Sequence, residues 1–310
     1  MARKKFSYKS LLTVFILLLL SVTYLTYFTS DSSTNKWREV FNYFELSDVN
    51  INKNDYKLRV HFLNVGKADC IYISFGENNI LIDAADKEEN DNVVEYLKRQ
   101  NVDKLNLVIN SHAHRDHIGQ MESVVNNFKV DEFIMPDIPE EIIPTYATYV
   151  SLLKALERNN VNVELAQVGR KINIDDMELE ILAPCNDYDS INNTSVVVKL
   201  TYGTDSFLFT GDAEKESEND MIDREMNLKS EVLKVGHHGS NTSTTQKFLN
   251  KVKPRYAVIS VGPDRNKLPK DKVIKRLQSN GIKIYRTDEN GTIVFLSNGN
   301  GLEIITERRK

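Results

Sequence analysis

The sequence predicts an α/β protein, a four-layer αββα sandwich of two facing β-sheets with helices outside, carried behind an N-terminal transmembrane helix. Three observations predict it. From Lys57 onward, short apolar strand-like runs alternate with amphipathic helical ones in two similar halves. Of 310 residues, 41% are hydrophobic and 27% charged, the make-up of an ordinary globular chain with ample material for a core. Before these runs lies an uncharged stretch, Ser10 to Ser30, with no counterpart elsewhere in the chain.

That stretch is centred on Leu11 to Leu20 and follows a basic flank of Arg3, Lys4, Lys5 and Lys9. About 20 apolar residues cross a bilayer as a helix. The basic flank stays cytoplasmic and sends the rest outside, so residues 1–30 are read as a single-pass signal anchor with an extracellular C-terminal domain. Secretion after signal cleavage is the rival reading, but no small-x-small cleavage signature precedes Ser30, where Tyr24, Tyr27 and Phe28 crowd the end. Residues 31–56 are polar apart from Trp37 to Phe44 and read as a linker or stalk, leaving 57–310 as the folded domain. Losing four basic residues and no acid, the chain beyond Ser30 carries 36 basic against 44 acidic residues. Such a domain lacks the broad positive field that sequence-independent DNA binding uses.

Within the domain, Leu58 to Phe62 alternates as a strand, and Cys70 to Phe75 and Asn79 to Ile82 form a hairpin about Gly76-Glu77-Asn78. His61 stands alone in its strand and reads as structural. Val93 to Gln100 predicts a helix, Leu105 to Asn110 a buried strand, and Ile118 to Asn127 a second helix. Phe133 to Met135 is a strand stopped by Pro136, and Pro144 to Asn159 a helix in which Tyr146 and Tyr149 either pack in the core or line a cleft. Further strands fall at Val161 to Leu165, Met177 to Leu182, Ser195 to Tyr202, Ser206 to Thr210, Glu231 to Val235, Tyr256 to Val261, Lys283 to Tyr285 and Thr292 to Leu296. Helices are expected over Ala213 to Asn227, Thr244 to Val252 and Lys270 to Ser279. Only Cys70 and Cys185 occur, and the apolar setting of Cys70 favours a buried free thiol over a disulfide.

The chemistry is concentrated in histidine. Five of six histidines fall in two clusters, His112, His114 and His117 in Ser111-His112-Ala113-His114-Arg115-Asp116-His117, and His237 and His238 in Val235-Gly236-His237-His238-Gly239. Each cluster follows an apolar run. A strand ending in a turn fans His112 and His114 to one side while Asp116 and His117 enter a helix and reach the same point, a way to build two adjacent metal sites. Mixed imidazole and carboxylate ligands suit Zn²⁺, Mn²⁺ or Fe in a catalytic setting.

At these residues the chain resembles the metallo-β-lactamase superfamily, whose HxHxDH signature is matched by His112, His114, Asp116 and His117. The segments Phe62 to Asp69, Leu81 to Ala84, Phe207 to Glu214 and His237 to Ser240, in that order, resemble the metallohydrolase domain of ComEC-type DNA-uptake competence proteins over roughly residues 57 to 305. The resemblance implies the αββα metallo-β-lactamase fold, with Asp212 as a carboxylate bridging two ions. It also implies that Asp83, and similarly Asp69, support the metal loop from behind. His112, His114 and Asp212 then hold one ion, and Asp116, His117 and Asp212 the other with one of the paired histidines. We expect His237 as that ligand and His238, with Asp116, in the catalytic step. Two Zn²⁺ ions are expected, with Mn²⁺ as the other choice. The chain departs from the pattern in having no histidine between His117 and His237, where Asn192-Asn193-Thr194-Ser195 stands instead. Lys267-Leu268-Pro269 replaces a Gly-His-Pro segment, Asn64 an Asp and Gln120 a Gly.

The function expected is a membrane-anchored, extracytoplasmic, metal-dependent hydrolase, a phosphodiesterase or nuclease using a hydroxide activated by two metals. Its partners are a phosphodiester substrate, DNA during uptake or an envelope polymer, and the membrane through the N-terminal helix; no protein partner is inferable. The alternative is a non-catalytic accessory protein that binds DNA or cell envelope and is stabilised by its metal.

Overall fold

The computed structural model describes residues 56–308 except 88–91, 264 and 266. The expected anchor over residues 1–30 and the linker up to residue 55 lie outside the described residues. Among those described, no helix is long and apolar enough to cross a membrane.

Seventeen strands are described: β1 Leu58–Phe62, β2 Ile71–Phe75, β3 Asn78–Ile82, β4 Lys104–Leu105, β5 Leu107–Ile109, β6 Lys129–Val130, β7 Phe133–Met135, β8 Val163–Leu165, β9 Lys171–Ile174, β10 Met177–Ala183, β11 Val197–Tyr202, β12 Asp205–Phe209, β13 Val232–Lys234, β14 Tyr256–Ile259, β15 Lys283–Arg286, β16 Ile293–Ser297 and β17 Leu302–Thr306. One sheet runs β17-β16-β1-β2-β3-β5-β7-β8 and the other β15-β14-β13-β12-β11-β10-β9; β4 and β6 form a small parallel pair. Each large sheet begins as antiparallel hairpins and continues as parallel strands, β3, β5, β7 and β8 in the first and β12 to β15 in the second. The parallel strands β5, β7, β13 and β14 are buried throughout, which is why their sequences are apolar and not alternating, interrupted only by Lys234 at the end of β13.

Three apolar layers hold the four structural layers together. Between the sheets, Phe62, Phe207, Phe209, Phe295, Tyr256 and Val258 interlock, with the Phe295 ring 5.8 Å from both Phe62 and Phe207. Over the first sheet, helices α1 (Val93–Arg99), α3 (Met121–Asn127) and α4 (Ala147–Arg158) bury Leu97, Val124 and Leu152; the short α2 (Arg115–Ile118) precedes α3. Over the second, α5 (Lys215–Asp223), α6 (Gln246–Val252) and α7 (Asp271–Ser279) bury Met221, Phe248 and Leu277. An additional turn, α8, covers Thr287–Asn290. Asn92 and Thr245 cap α1 and α6, each side chain accepting from the backbone N–H three residues on.

The expected helix from Ile118 to Asn127 is broken. Gly119 and Gln120 turn their N–H groups to the carbonyls of Ala85 and Ala84, 2.7 and 2.9 Å away, instead of into one helix. Gly119 permits this approach, since a Cβ there would stand 2.3 Å from the Lys87 nitrogen. Gln120 fixes the junction by accepting from Val93 N at 2.9 Å and donating to the Asp86 carbonyl at 3.0 Å. Three strands are absent from the sequence reading, β6, β9 and β17. β6 is only two residues long, and β9 and β17 are edges of their sheets, where half-exposed polar positions dilute the apolar signal.

The Phe295 ring fills the centre of the inter-sheet layer and is fully buried. Phe295→Ala should therefore lower unfolding stability by about 3–5 kcal/mol in a urea titration.

Candidate metal centre

The site lies where the parallel strands of both sheets end. β3 delivers Asp83, β5 delivers Asn110 to Asp116, β12 delivers Asp212, and β13 delivers His237 and His238.

Asp83 organises the first group. Its backbone turns through the left-handed region, φ 59°, which swings the carboxylate under the following loop. One oxygen accepts from Ser111 N at 2.7 Å; the other accepts from Ser111 Oγ at 2.6 Å and His117 Nδ1 at 2.7 Å. Asn110 Nδ2 donates to the His112 carbonyl at 2.7 Å, shaping the same turn. Because Nδ1 of His117 donates to a carboxylate, Nε2 is the nitrogen left for a ligand.

The second group rests on strained backbone. His237 and His238 are both left-handed, with φ 47° and 50°, and Gly239 follows at φ 82°. Non-glycine residues hold such a conformation only where their surroundings enforce it. Here it sends the two rings apart, their planes inclined by 71°. The His238 ring is fully buried; Nδ1 donates to the Ser260 carbonyl at 2.8 Å, and Nε2 lies 3.5 Å from Asp116 Oδ2. His237 is partly exposed, with Nδ1 3.2 Å from both Glu214 Oε1 and Thr242 Oγ1. Of the expected ligand His237 and the expected catalytic His238, the structure groups His238 with Asp116 and His117, all within 4.8 Å of one another, because the buried carbonyl of Ser260 captures one nitrogen of His238 and turns the other inward; His237 lies nearer the mouth, its Nε2 3.7 Å from Asp212 Oδ2.

Asp212 sits at the centre, and its two oxygens divide the site. Oδ1 is 3.4 Å from His117 Nε2 and 3.7 Å from His238 Nε2. Oδ2 is 3.9 Å from His112 Nε2 and 3.7 Å from His237 Nε2. His114 joins the second set through His112, Nδ1 to Nε2 3.1 Å. His117 Nε2, His238 Nε2, Asp212 Oδ1 and Asp69 Oδ1 are buried and make no hydrogen bond. Buried polar atoms without partners are costly, and here they converge on one another. A divalent cation satisfies lone pairs that no donor reaches, so this donor set of imidazole nitrogens and carboxylate oxygens fits a metal.

The electrostatics follow from burial and from the crowding of charges. Burial, reinforced by the neighbouring His117, holds His112 well below the usual imidazole value, and burial likewise lowers His114, so both rings are neutral and able to ligate. Burial opposes charge on His117, yet the carboxylates of Asp212 and Asp83 outweigh it and raise that ring's pKa. Burial also opposes charge on Asp116 and Asp212. For both, the nearby imidazoles of His238 and His117 prevail, keeping both carboxyls below the ordinary carboxylate range.

Several supporting residues escaped the sequence reading. Lys234, fully buried beneath the site, pairs with Asp69 Oδ2 at 2.7 Å and donates to the Val235 carbonyl at 3.0 Å. A lone lysine in the apolar run Glu231 to Val235 was its signal. Lys67 pairs with Asp116 Oδ2. In the stretch that carries no histidine, Ser195 Oγ accepts from Asp212 N at 3.1 Å and Asn193 Oδ1 accepts from Glu214 N at 3.0 Å, so these residues fix the backbone of the central aspartate. Pro269 packs on Gly239, where a Cβ would stand 2.5 Å from the ring. His61 bonds Tyr96 at 2.7 Å; Tyr149 is buried in the helical layer, while Tyr146 is partly buried with the Arg115 guanidinium 5.5 Å above its ring. Cys70 and Cys185 are both free and buried.

Residues 63–262 match the family described as the metallo-beta-lactamase superfamily. ComE operon protein 3 of Bacillus subtilis (strain 168) is 34% identical over 205 residues, 66% of this chain and 26% of that protein. Competence protein ComA of Neisseria gonorrhoeae is 36% identical over 139 residues, 44% of this chain and 18% of that protein. The chain thus spans about a quarter or less of these relatives. Among solved structures, CmlA, a diiron beta-hydroxylase from Streptomyces venezuelae, superposes with a TM-score of 0.53 at 12% identity, covering 78% of this chain and 54% of that one. Igni18, a metallo hydrolase from Ignicoccus hospitalis, gives 0.50 at 17% identity, covering 77% and 100%. At such identities the likeness shows the fold.

Two outcomes follow from the supporting contacts. Asp83→Ala, which frees the His117 ring and the Ser111 loop, should weaken Zn²⁺ or Mn²⁺ binding by about 10–100-fold in competition with a chromogenic chelator. Lys234→Met, which strands Asp69 in the interior, should cost about 3–5 kcal/mol in chemical denaturation.

Proposed function

The chain belongs to the metallo-β-lactamase superfamily, and from that premise we propose that it is a metal-dependent hydrolase of phosphodiesters, held at the outer face of the membrane by residues 1–30. The observation that carries the hydrolase reading is Asp212, whose two oxygens each face a different set of imidazoles. His112, His114 and Asp212 Oδ2 would hold one ion; Asp116, His117, His238 and Asp212 Oδ1 the other. Zn²⁺ is the first choice and Mn²⁺ the second. Divalent cations so held polarise a phosphoryl oxygen and bring the pKa of water from 15.7 to about 7.

This chain's own residues do the rest. Asp83 and the Ser260 carbonyl lock the tautomers of His117 and His238, so each presents Nε2. Asp69, anchored by Lys234, backs His238 from below, Nδ1 to Oδ1 3.8 Å. His237, partly exposed at the mouth and backed by Glu214, would pass a proton to the leaving oxygen. Ser240 and Thr242, whose hydroxyls are 3.0 Å apart, offer donors for a non-bridging phosphate oxygen beside it. This assignment reverses the roles first expected for the two paired histidines.

The substrate class rests on the competence proteins among the relatives, which favours DNA, with envelope phosphodiesters as the other polymer within reach of an anchored enzyme. The net negative charge beyond Ser30 means that either polymer would be gripped locally at the site. The anchor rests on the uncharged stretch Ser10 to Ser30 behind its basic flank.

The test is hydrolysis of bis(p-nitrophenyl) phosphate by the full chain in detergent, chelated and then reloaded with Zn²⁺ or Mn²⁺. Turnover should return with the metal, and Asp116→Ala should lower kcat by about a thousandfold with the circular dichroism spectrum unchanged. A protein that binds metal tightly, loses its fold on chelation and never turns over would be the accessory protein instead.

A further inference from the structure

Lys67 lies in the turn between β1 and β2, and its ammonium contacts Asp116 Oδ2. The same oxygen is 3.5 Å from His238 Nε2, which is buried without a hydrogen-bond partner, and Asp116, His117 and His238 gather their ligand atoms within 4.8 Å. One carboxylate oxygen therefore serves both the ammonium and the place where a cation fits. Two positive charges on one oxygen repel strongly, and more so at a half-buried position than in water. Lys67 is 25% and Asp116 16% exposed at the side chain.

The backbone under Lys67 cannot move away. Asp69 N donates to the Asp116 carbonyl at 3.0 Å, tying the two loops together, and Ala85 N donates to the Asp69 carbonyl at 2.8 Å. On the other side Gly66 and Lys67 lie against Gly262 so closely that a Cβ on Gly262 would stand 2.6 Å from the Gly66 Cα and 2.9 Å from the Lys67 nitrogen. Only the lysine side chain is left to give way, and its four-carbon stem carries a compact, mobile point charge. Lys234, the other lysine paired with a site carboxylate, is fully buried and has no such freedom.

We propose that Lys67 competes with the cation at Asp116, His117 and His238 and, once displaced from Asp116, binds the phosphoryl group of the substrate at the mouth of the site. It thereby links metal loading to substrate binding: the charge that holds Asp116 becomes the charge that receives the anion. The substrate half of this inference rests on the phosphodiesterase reading; the metal half does not.

The test compares the full chain with Lys67→Met, which keeps most of the stem and removes the charge, and with Lys67→Gln as a polar control. Mn²⁺ and Zn²⁺ affinities are measured by chelator competition, inorganic phosphate binding to the metal-loaded protein by calorimetry, and KM and kcat on bis(p-nitrophenyl) phosphate. We expect the weaker of the two metal affinities to tighten by about tenfold in both variants, while phosphate binding weakens and KM rises by a similar factor with kcat little changed. Metal affinity that stays the same or falls would overturn the competition and leave Lys67 as a brace for Asp116. Phosphate binding that is unaltered in the variants would overturn the substrate contact. If the wild type shows no turnover, the phosphodiesterase reading fails, yet tighter metal and weaker phosphate binding in the variants would still establish the exchange.

Discussion

The structure depends on a carboxylate placed where the two sheets meet. Asp212 is held from every side: its N–H by Ser195, the strand before it by the bond from Thr210 Oγ1 to the Lys234 carbonyl at 2.9 Å, and the turn itself by His237 N on the Gly211 carbonyl at 3.2 Å. Gly211 lies so near the first sheet that a Cβ would stand 2.8 Å from that of Ser111. The two sheets therefore close on each other at the residue that positions the ligands. Burying a carboxylate there is unfavourable unless positive charge or donors surround it, and four imidazoles do so.

Around this centre the polar groups form tiers. The unpartnered imidazole nitrogens of His117 and His238 face inward, the carboxylates of Asp83 and Asp69 lie behind the rings, and Lys234 neutralises the deepest of them. A buried ion pair of this kind contributes little net stability by itself. Its value lies in orientation, because it fixes Asp69 beneath His238 and leaves Lys234 no conformational choice.

Much of this was legible in the sequence because it is written in local patterns. The central parallel strands announced themselves as largely apolar runs, and the two histidine clusters each sit at the end of one, so both the layers and the meeting of the clusters could be read. What was not legible depends on contacts between distant loops. The break at Gly119 comes from the approach of residues 84–87, which no helical pattern encodes. The inward turn of the His238 ring comes from the Ser260 carbonyl, 22 positions away from His238, and from two consecutive left-handed residues for which neighbouring sequence offers no sign. Edge strands β9 and β17 were missed because an edge needs fewer apolar residues than a central strand. Gln120, Asn193 and Ser195 looked like departures from a pattern, whereas each satisfies a backbone group beside the site.

The division of the ligands between the halves of the chain bears on how the protein matures. His112 to His117 hang from one sheet and Asp212 to His238 from the other, and nearly a hundred residues separate the two blocks, a loop closure that is slow to form. Neither half holds the whole set, since Asp212 and His238 come from one sheet and His112 to His117 from the other. The complete arrangement therefore exists only once the sandwich has closed, and its geometry is a readout of correct assembly.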